Sequence, residues 1–144
     1  MDEGRKGRSR TLAPAQYAAL AEFRFALRQF TAFSAAAATR AGLPPQQHQA
    51  LLVIKGSREP VTVGALAARL LVAPHTAAEL AKRLAEAGHV VAVADPDDRR
   101  RHVLALTGKA EALLAELSDV HLKEITELAP RLADALAVLT GSKD

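Results

Sequence analysis

Cysteine and tryptophan are both absent from the 144-residue chain. Without thiols it has no structural disulfide, thiolate nucleophile, Cys-ligated zinc or iron–sulfur cluster, and no thiol-based redox sensing. Aromatic residues make up only 3% of the chain while alanine is abundant, a balance that favours helices over a sandwich of strands. No apolar run nears the roughly 18 residues of a membrane span, and the opening MDEGRKGRSRTLAP has no apolar core of a signal peptide. The expectation is a soluble, cytoplasmic protein with no membrane partner. There is also no Gly-rich phosphate loop, no nucleophile with a positioned His and acid, and no metal pair, so no catalytic residues are expected and the chain reads as a non-enzyme.

What remains is a chain with 49% hydrophobic residues and a formal charge of +3. The length suits one domain that buries roughly two-thirds of the surface its unfolded chain exposes. The charge is compatible with a polyanionic partner without demanding one. Residues 1–14 carry Arg5, Lys6, Arg8 and Arg10 with Gly4 and Gly7, which reads as a flexible basic arm. Over residues 15–42, Leu20, Phe23, Leu27 and Phe30 recur at three- and four-residue steps, one apolar stripe along a long helix. Gly42 and Pro44-Pro45 end it, and Gln47 to Ile54 supplies a shorter helix.

The segment 43–107 then holds two short helices joined by a tight turn. Val63 to Leu70 has Thr62 as its candidate N-cap; Pro74 to Ala87 has Ala77, Leu80, Ala81 and Leu84 inward and Gly88 as its stop. This spells helix-turn-helix. Leu71 sits in the turn, where glycine or asparagine more often supplies positive φ. Val90 to Val93 and His102 to Leu106 flank Asp95-Pro96-Asp97-Asp98-Arg99-Arg100-Arg101, a hairpin pattern directly behind the second helix. In 108–144, Thr107 caps a helix to about Leu128 with Leu113, Leu114, Leu117, Val120, Ile125 and Leu128 as its stripe, and Pro130 opens a last short helix. The fold class is mostly α with a small β-wing: a winged helix-turn-helix flanked by long terminal helices.

From about Ala15 to Leu139 this order of elements resembles the MarR family of transcriptional regulators. DPDDRRRHVLALT, residues 95–107, is similar to the family's wing signature; Leu43-Pro44-Pro45-Gln46 and the segment from Arg83-Leu84 to Gly88 also fit. The resemblance implies a homodimer on duplex, palindromic DNA, with 15–42 and 108–144 as dimerisation helices, acting as a repressor released by a small effector. It assigns Asp98 to positioning the wing and Arg99, Arg100 and Arg101 to phosphate or minor-groove contact. On the recognition helix, Pro74, His75, Thr76, Glu79, Lys82 and Arg83 occupy the DNA-contacting positions.

The recognition helix departs from the family's pattern. Ala73, Pro74, His75, Ala78 and Glu79 stand where Ser, Arg or Thr are usual, and uncharged Val91, Ala92 and Val93 precede the wing. Direct base readout is therefore thin. The alternative left open is a winged-helix module that binds protein, with DNA binding weakened or lost. For an effector, a small aromatic or carboxylate ligand, the resemblance points to Tyr17, Arg24, Phe33 and His48. Phe23 and Phe30, on the stripe, are instead expected in a dimer core. Zinc-sensing relatives place histidines near His48 and His121, with Glu116 close by, but zinc wants three or four ligands. With His121 four residues from both Leu117 and Ile125, a core histidine is expected and no metal or other cofactor.

Overall fold

The computed structural model describes residues 11–141. Most of the anticipated basic arm, including Arg5, Lys6, Arg8 and Arg10, lies outside the described residues. Five helices and one hairpin follow in order: α1 (Pro14–Arg40), α2 (Pro45–Gly56), α3 (Val63–Leu70), α4 (Pro74–Glu86), β1 (Val90–Ala94), β2 (His102–Leu106) and α5 (Gly108–Thr140). The chain divides into two compact units, Ala32–Lys123 and a smaller one of Met1–Thr31 with Glu124–Asp144.

In the larger unit one apolar core joins every element. Leu43 and Leu51, Val61, Leu66 of α3, Leu80 and Leu84 of α4, Val90, and Ala110, Leu114 and Leu117 of α5 are all buried in it. The amphipathic spacing of α4 explains its share: Ala77, Leu80, Ala81 and Leu84 lie on one face and are buried. Thr62 caps α3 by accepting a hydrogen bond from Ala65 N at 3.1 Å, and Thr107 does the same for α5 from Ala110 N at 3.4 Å. The Thr107 hydroxyl also donates to the Gly88 carbonyl at 2.6 Å, tying the end of α4 to the start of α5. The hairpin pairs Val90 with Leu106 through Ala94 with His102. Val61 bridges Leu104 on the far side of β2, its carbonyl accepting from Leu104 N at 2.8 Å, which leaves β1 as the outer edge.

Three helices end by the same device, in which the N–H of the residue after a left-handed one reaches back to a carbonyl five residues earlier. Leu43 N bonds Ala38 O after α1, Val72 N bonds Ala67 O after α3, and His89 N bonds Leu84 O after α4. The device needs a left-handed residue. Gly42 and Gly88 fill that place with φ of 79°, but after α3 it is filled by Leu71 at φ 57°, the one non-glycine residue with positive φ among those described. Left-handed φ costs a leucine about 1–2 kcal/mol, and its side chain is 92% exposed, so no burial compensates. Leu71→Gly relieves this strain at an entropic cost of about 0.5–1 kcal/mol. The expected result is an unfolding midpoint in urea equal to or slightly above the native one; a variant destabilised by about 1 kcal/mol or more would show the leucine to be unstrained.

The last helix differs from the sequence expectation. Instead of a break and a short final helix opened by Pro130, α5 runs unbroken for 33 residues with Pro130 inside it. Proline inside a helix costs about 3 kcal/mol, and packing in the smaller unit outweighs that cost. Leu128 and Ala135, seven residues apart on either side of Pro130, are both buried and hold one helical face. Arg131 anchors the same stretch: its guanidinium donates to Glu22 Oε1 at 2.9 and 2.6 Å and to Gln29 Oε1 at 2.8 Å, and it lies 5.8 Å from the Phe25 ring. Ala19, Ala26, Leu128 and Ala135 are the buried apolar residues described in this unit, while Tyr17, Leu20, Phe25, Leu27, Ile125 and Leu136 remain 37–53% exposed. Leu20 and Leu27 of the anticipated stripe are thus uncovered, as is Ile125, and Phe23 and Phe30 are half-buried.

Candidate nucleic-acid interface

The wing tip is built by two aspartates. The backbone N–H of Asp95 donates to Arg101 O at 2.8 Å and that of Arg101 to Asp98 O at 2.9 Å, closing the turn. Asp95 Oδ1 accepts from Asp97 N at 2.9 Å, and its carboxylate is buried with Arg101 Nε 3.8 Å away. Asp98 Oδ1 accepts from Arg100 N at 3.1 Å and faces Arg100 Nε at 3.4 Å. Asp98 therefore orients Arg100, and Asp95 sets the turn and faces Arg101. Sequence reasoning missed Asp95; the signal for it was an aspartate two residues before a backbone N–H in an Asp-Pro-Asp turn. Arg99 has no ion-pair or hydrogen-bond partner among the described residues, and the Arg100 side chain is 93% exposed. Three cations thus stand on a hydrogen-bonded hairpin tip with their charge toward solvent.

On α4 the outward face carries Pro74, His75, Ala78, Glu79, Lys82 and Arg83, all exposed, while Thr76 is half-buried. Ala73 precedes the helix with no side-chain cap. Gln46 of α2, which sequence reasoning placed in the Leu43–Gln46 motif without a role at this site, joins His75, Thr76, Glu79, Leu80 and Arg83 around a shallow depression of about 200 Å³. The wing and α3–α4 belong to the same compact unit, so the two sets of residues are presented together. Val91 and Val93 on the outer edge strand are 48% and 41% exposed.

The four residues anticipated for an effector are divided between the two units. Tyr17 and Arg24 are exposed on α1 in the smaller unit. Phe33 and His48 meet around His121 in the larger one, with ring centroids 5.9 and 5.0 Å from its imidazole. His121 Nδ1 lies 2.7 Å from the Leu117 carbonyl, so that nitrogen donates; Ser34 Oγ is 2.7 Å from Nε2 and donates to it in the neutral ring. Glu116 is exposed on the same helix. No group of three metal-ligating side chains converges among the described residues. A larger cleft of about 480 Å³, lined in part by Leu52, Arg58, Val61, Ala65 and Arg69, contains none of the anticipated residues.

Two buried imidazoles make the fold sensitive to acid. Burial lowers the pKa of His48 below its ordinary 6.5, and the neighbouring His121 lowers it further. Burial likewise lowers His89, with Lys109 adding to it, and His89 Nδ1 is buried without a hydrogen-bond partner. Both groups bind a proton more readily unfolded than folded, so their stabilisation is complete above about pH 6.5 and shrinks as pH falls below it. Urea midpoints measured at pH 7.5 and 5.5 are expected to drop at the lower pH, and less so in His48→Gln. Equal slopes with pH in both proteins would refute the assignment to His48.

Comparison with known proteins agrees with this geometry. The model of the MarR family matches residues 41–101, from just after α1 to the wing tip ahead of β2. No curated protein sequence matches the chain. Among solved structures, a MarR family protein from Bacillus stearothermophilus is similar at 20% identity with a TM-score of 0.70, over 82% of each chain. CouR from Rhodococcus jostii, bound to p-coumaroyl-CoA, is 21% identical with a TM-score of 0.62, over 76% of this chain and 82% of its own. A mutant MepR from S. aureus bound to an oligodeoxyribonucleotide is 17% identical with a TM-score of 0.63, over 88% of this chain and 98% of its own. At these identities the likeness is one of fold.

Proposed function

We propose that this chain, whose residues 41–101 match the model of the MarR family and whose fold is similar to that of solved MarR family proteins, is a DNA-binding transcriptional regulator of that family, acting as a homodimeric repressor released by a small organic effector. The observation that carries the reading is the exposed arginine tip at 99–101, held by Asp95 and Asp98 beside a helix-turn-helix in one compact unit. A hairpin tip of this kind reaches the minor groove, whose narrow stretches concentrate negative potential, while α4 occupies the adjoining major groove. Lys82 and Arg83 contact phosphates, and Asp95 and Asp98 hold the wing without touching DNA. Two copies related by a two-fold axis read two half-sites of a palindrome. MepR in complex with an oligodeoxyribonucleotide and CouR with p-coumaroyl-CoA support the classes of DNA and effector partner. The effector is a small aromatic or carboxylate compound, and no metal takes part.

The test is fluorescence anisotropy of the native chain with a generic duplex across a salt series. The expected result is binding whose logarithm falls linearly with the logarithm of salt. Absence of binding at the lowest salt would overturn it. The exposed valines of β1 would then favour the second reading, a winged-helix module for a protein partner.

A further inference from the structure

Leu71 is the residue the fold accounts for least. Its backbone conformation is one that the chain gives to glycine at both other helix ends of the same design, Gly42 and Gly88. Its side chain is 92% exposed, the highest among the exposed large hydrophobic residues described, and so adds nothing to the core. Strain retained without packing is a mark of a functional position. Leu71 lies in the turn immediately before α4, where the exposed Ala73, Pro74 and Ala78 offer no side-chain hydrogen-bonding group and leave His75, Thr76 and Glu79 as the polar side chains of the first turns. Exposed charge flanks this turn, with Arg69 at the end of α3 and Glu79, Lys82 and Arg83 on α4. An apolar centre whose flanking charge is mainly cationic complements a base edge flanked by phosphates.

We infer that Leu71, together with Ala73 and Ala78, reads the C5-methyl groups of thymines in the major groove. This rests on the DNA-binding reading above. Thymine's methyl is the one apolar feature on the major-groove edges of the bases, and an aliphatic side chain recognises it by excluding water. A recognition helix poor in donors selects its sites in this way, with sequence information carried by methyl positions and the wing supplying affinity.

The experiment starts by selecting binding sites for the full-length protein from a random duplex library. Each thymine of a selected site is then replaced by deoxyuridine, which removes the methyl and leaves every hydrogen bond of the base pair intact. Affinities are measured for the native protein and for Leu71→Gly, whose turn suits glycine and whose fold is checked by circular dichroism. The expected result is at least one thymine per half-site whose demethylation weakens native binding about fourfold and leaves Leu71→Gly binding unchanged. Equal losses in the two proteins, or tight binding indifferent to every uracil, would overturn the inference while leaving DNA binding in place. Failure to select any duplex would remove the DNA-binding reading itself, and this inference with it.

Discussion

Replacing Arg99, Arg100 and Arg101 together by alanine is expected to weaken duplex binding at least about tenfold near 0.1 M salt and to flatten its salt dependence. Each arginine–phosphate interaction removed lowers the steepness of the log–log plot by about 0.9, and a two-fold dimer gives up each of them twice. The fold tolerates the change. Arg99 makes no ion pair or hydrogen bond among the described residues, and the pairs of Arg100 with Asp98 and Arg101 with Asp95 are long, at 3.4 and 3.8 Å, and solvent-facing on the arginine side. Such pairs contribute little to stability, so the thermal midpoint of the variant stays near that of the native chain. The backbone hydrogen bonds of the tip, Asp95 to Arg101 and Arg101 to Asp98, do not depend on the arginine side chains. An unchanged slope would mean that the wing stays outside the complex. A parallel loss in stability would mean that it has a structural role instead.

That the wing and the helix-turn-helix were legible in the sequence has a simple physical cause: both are local. Thr62 and Thr107 occupy N-caps, Gly42 and Gly88 occupy left-handed positions, and four inward residues of α4 follow a helical period, so short stretches suffice to specify them. The failures are non-local. Pro130 read as a helix start because a single sequence does not reveal that Leu128, Ala135 and the hydrogen bonds of Arg131 to Glu22 and Gln29 hold α5 together through it. Asp95 is distinguished from Asp98 by its burial, which three aspartates spaced around a turn do not announce. Gln46 comes to lie beside His75 and Arg83 because α2 packs near α4, a neighbourhood that only the tertiary fold creates.

The proposed dimer follows from what the smaller unit fails to bury. Among its described residues four apolar side chains, three of them alanines, are buried, against six large apolar ones left 37–53% exposed. So small a core does not offset the ordering of two helical segments. In the proposed dimer a second copy would supply the missing cover, along the exposed Leu20, Leu27, Ile125 and Leu136. The double variant Leu27→Glu with Leu136→Glu tests this, because both positions are more than two-fifths exposed in the single chain and the substitution leaves its own core intact. Burying the rest of each leucine contributes about 1 kcal/mol, and a dimer loses four of them, so the dissociation constant is expected to rise about a thousandfold before the glutamates' desolvation adds to it. In sedimentation velocity at micromolar concentration the native chain should run as a dimer of 15.2 kDa subunits and the variant as a monomer, with the core of the larger unit still folded by circular dichroism. Binding to a palindromic duplex should fall with it, since each half-site is then held by a separate molecule. A native monomer would end the two-fold model of recognition, and a variant that stayed dimeric would move the interface away from these helices.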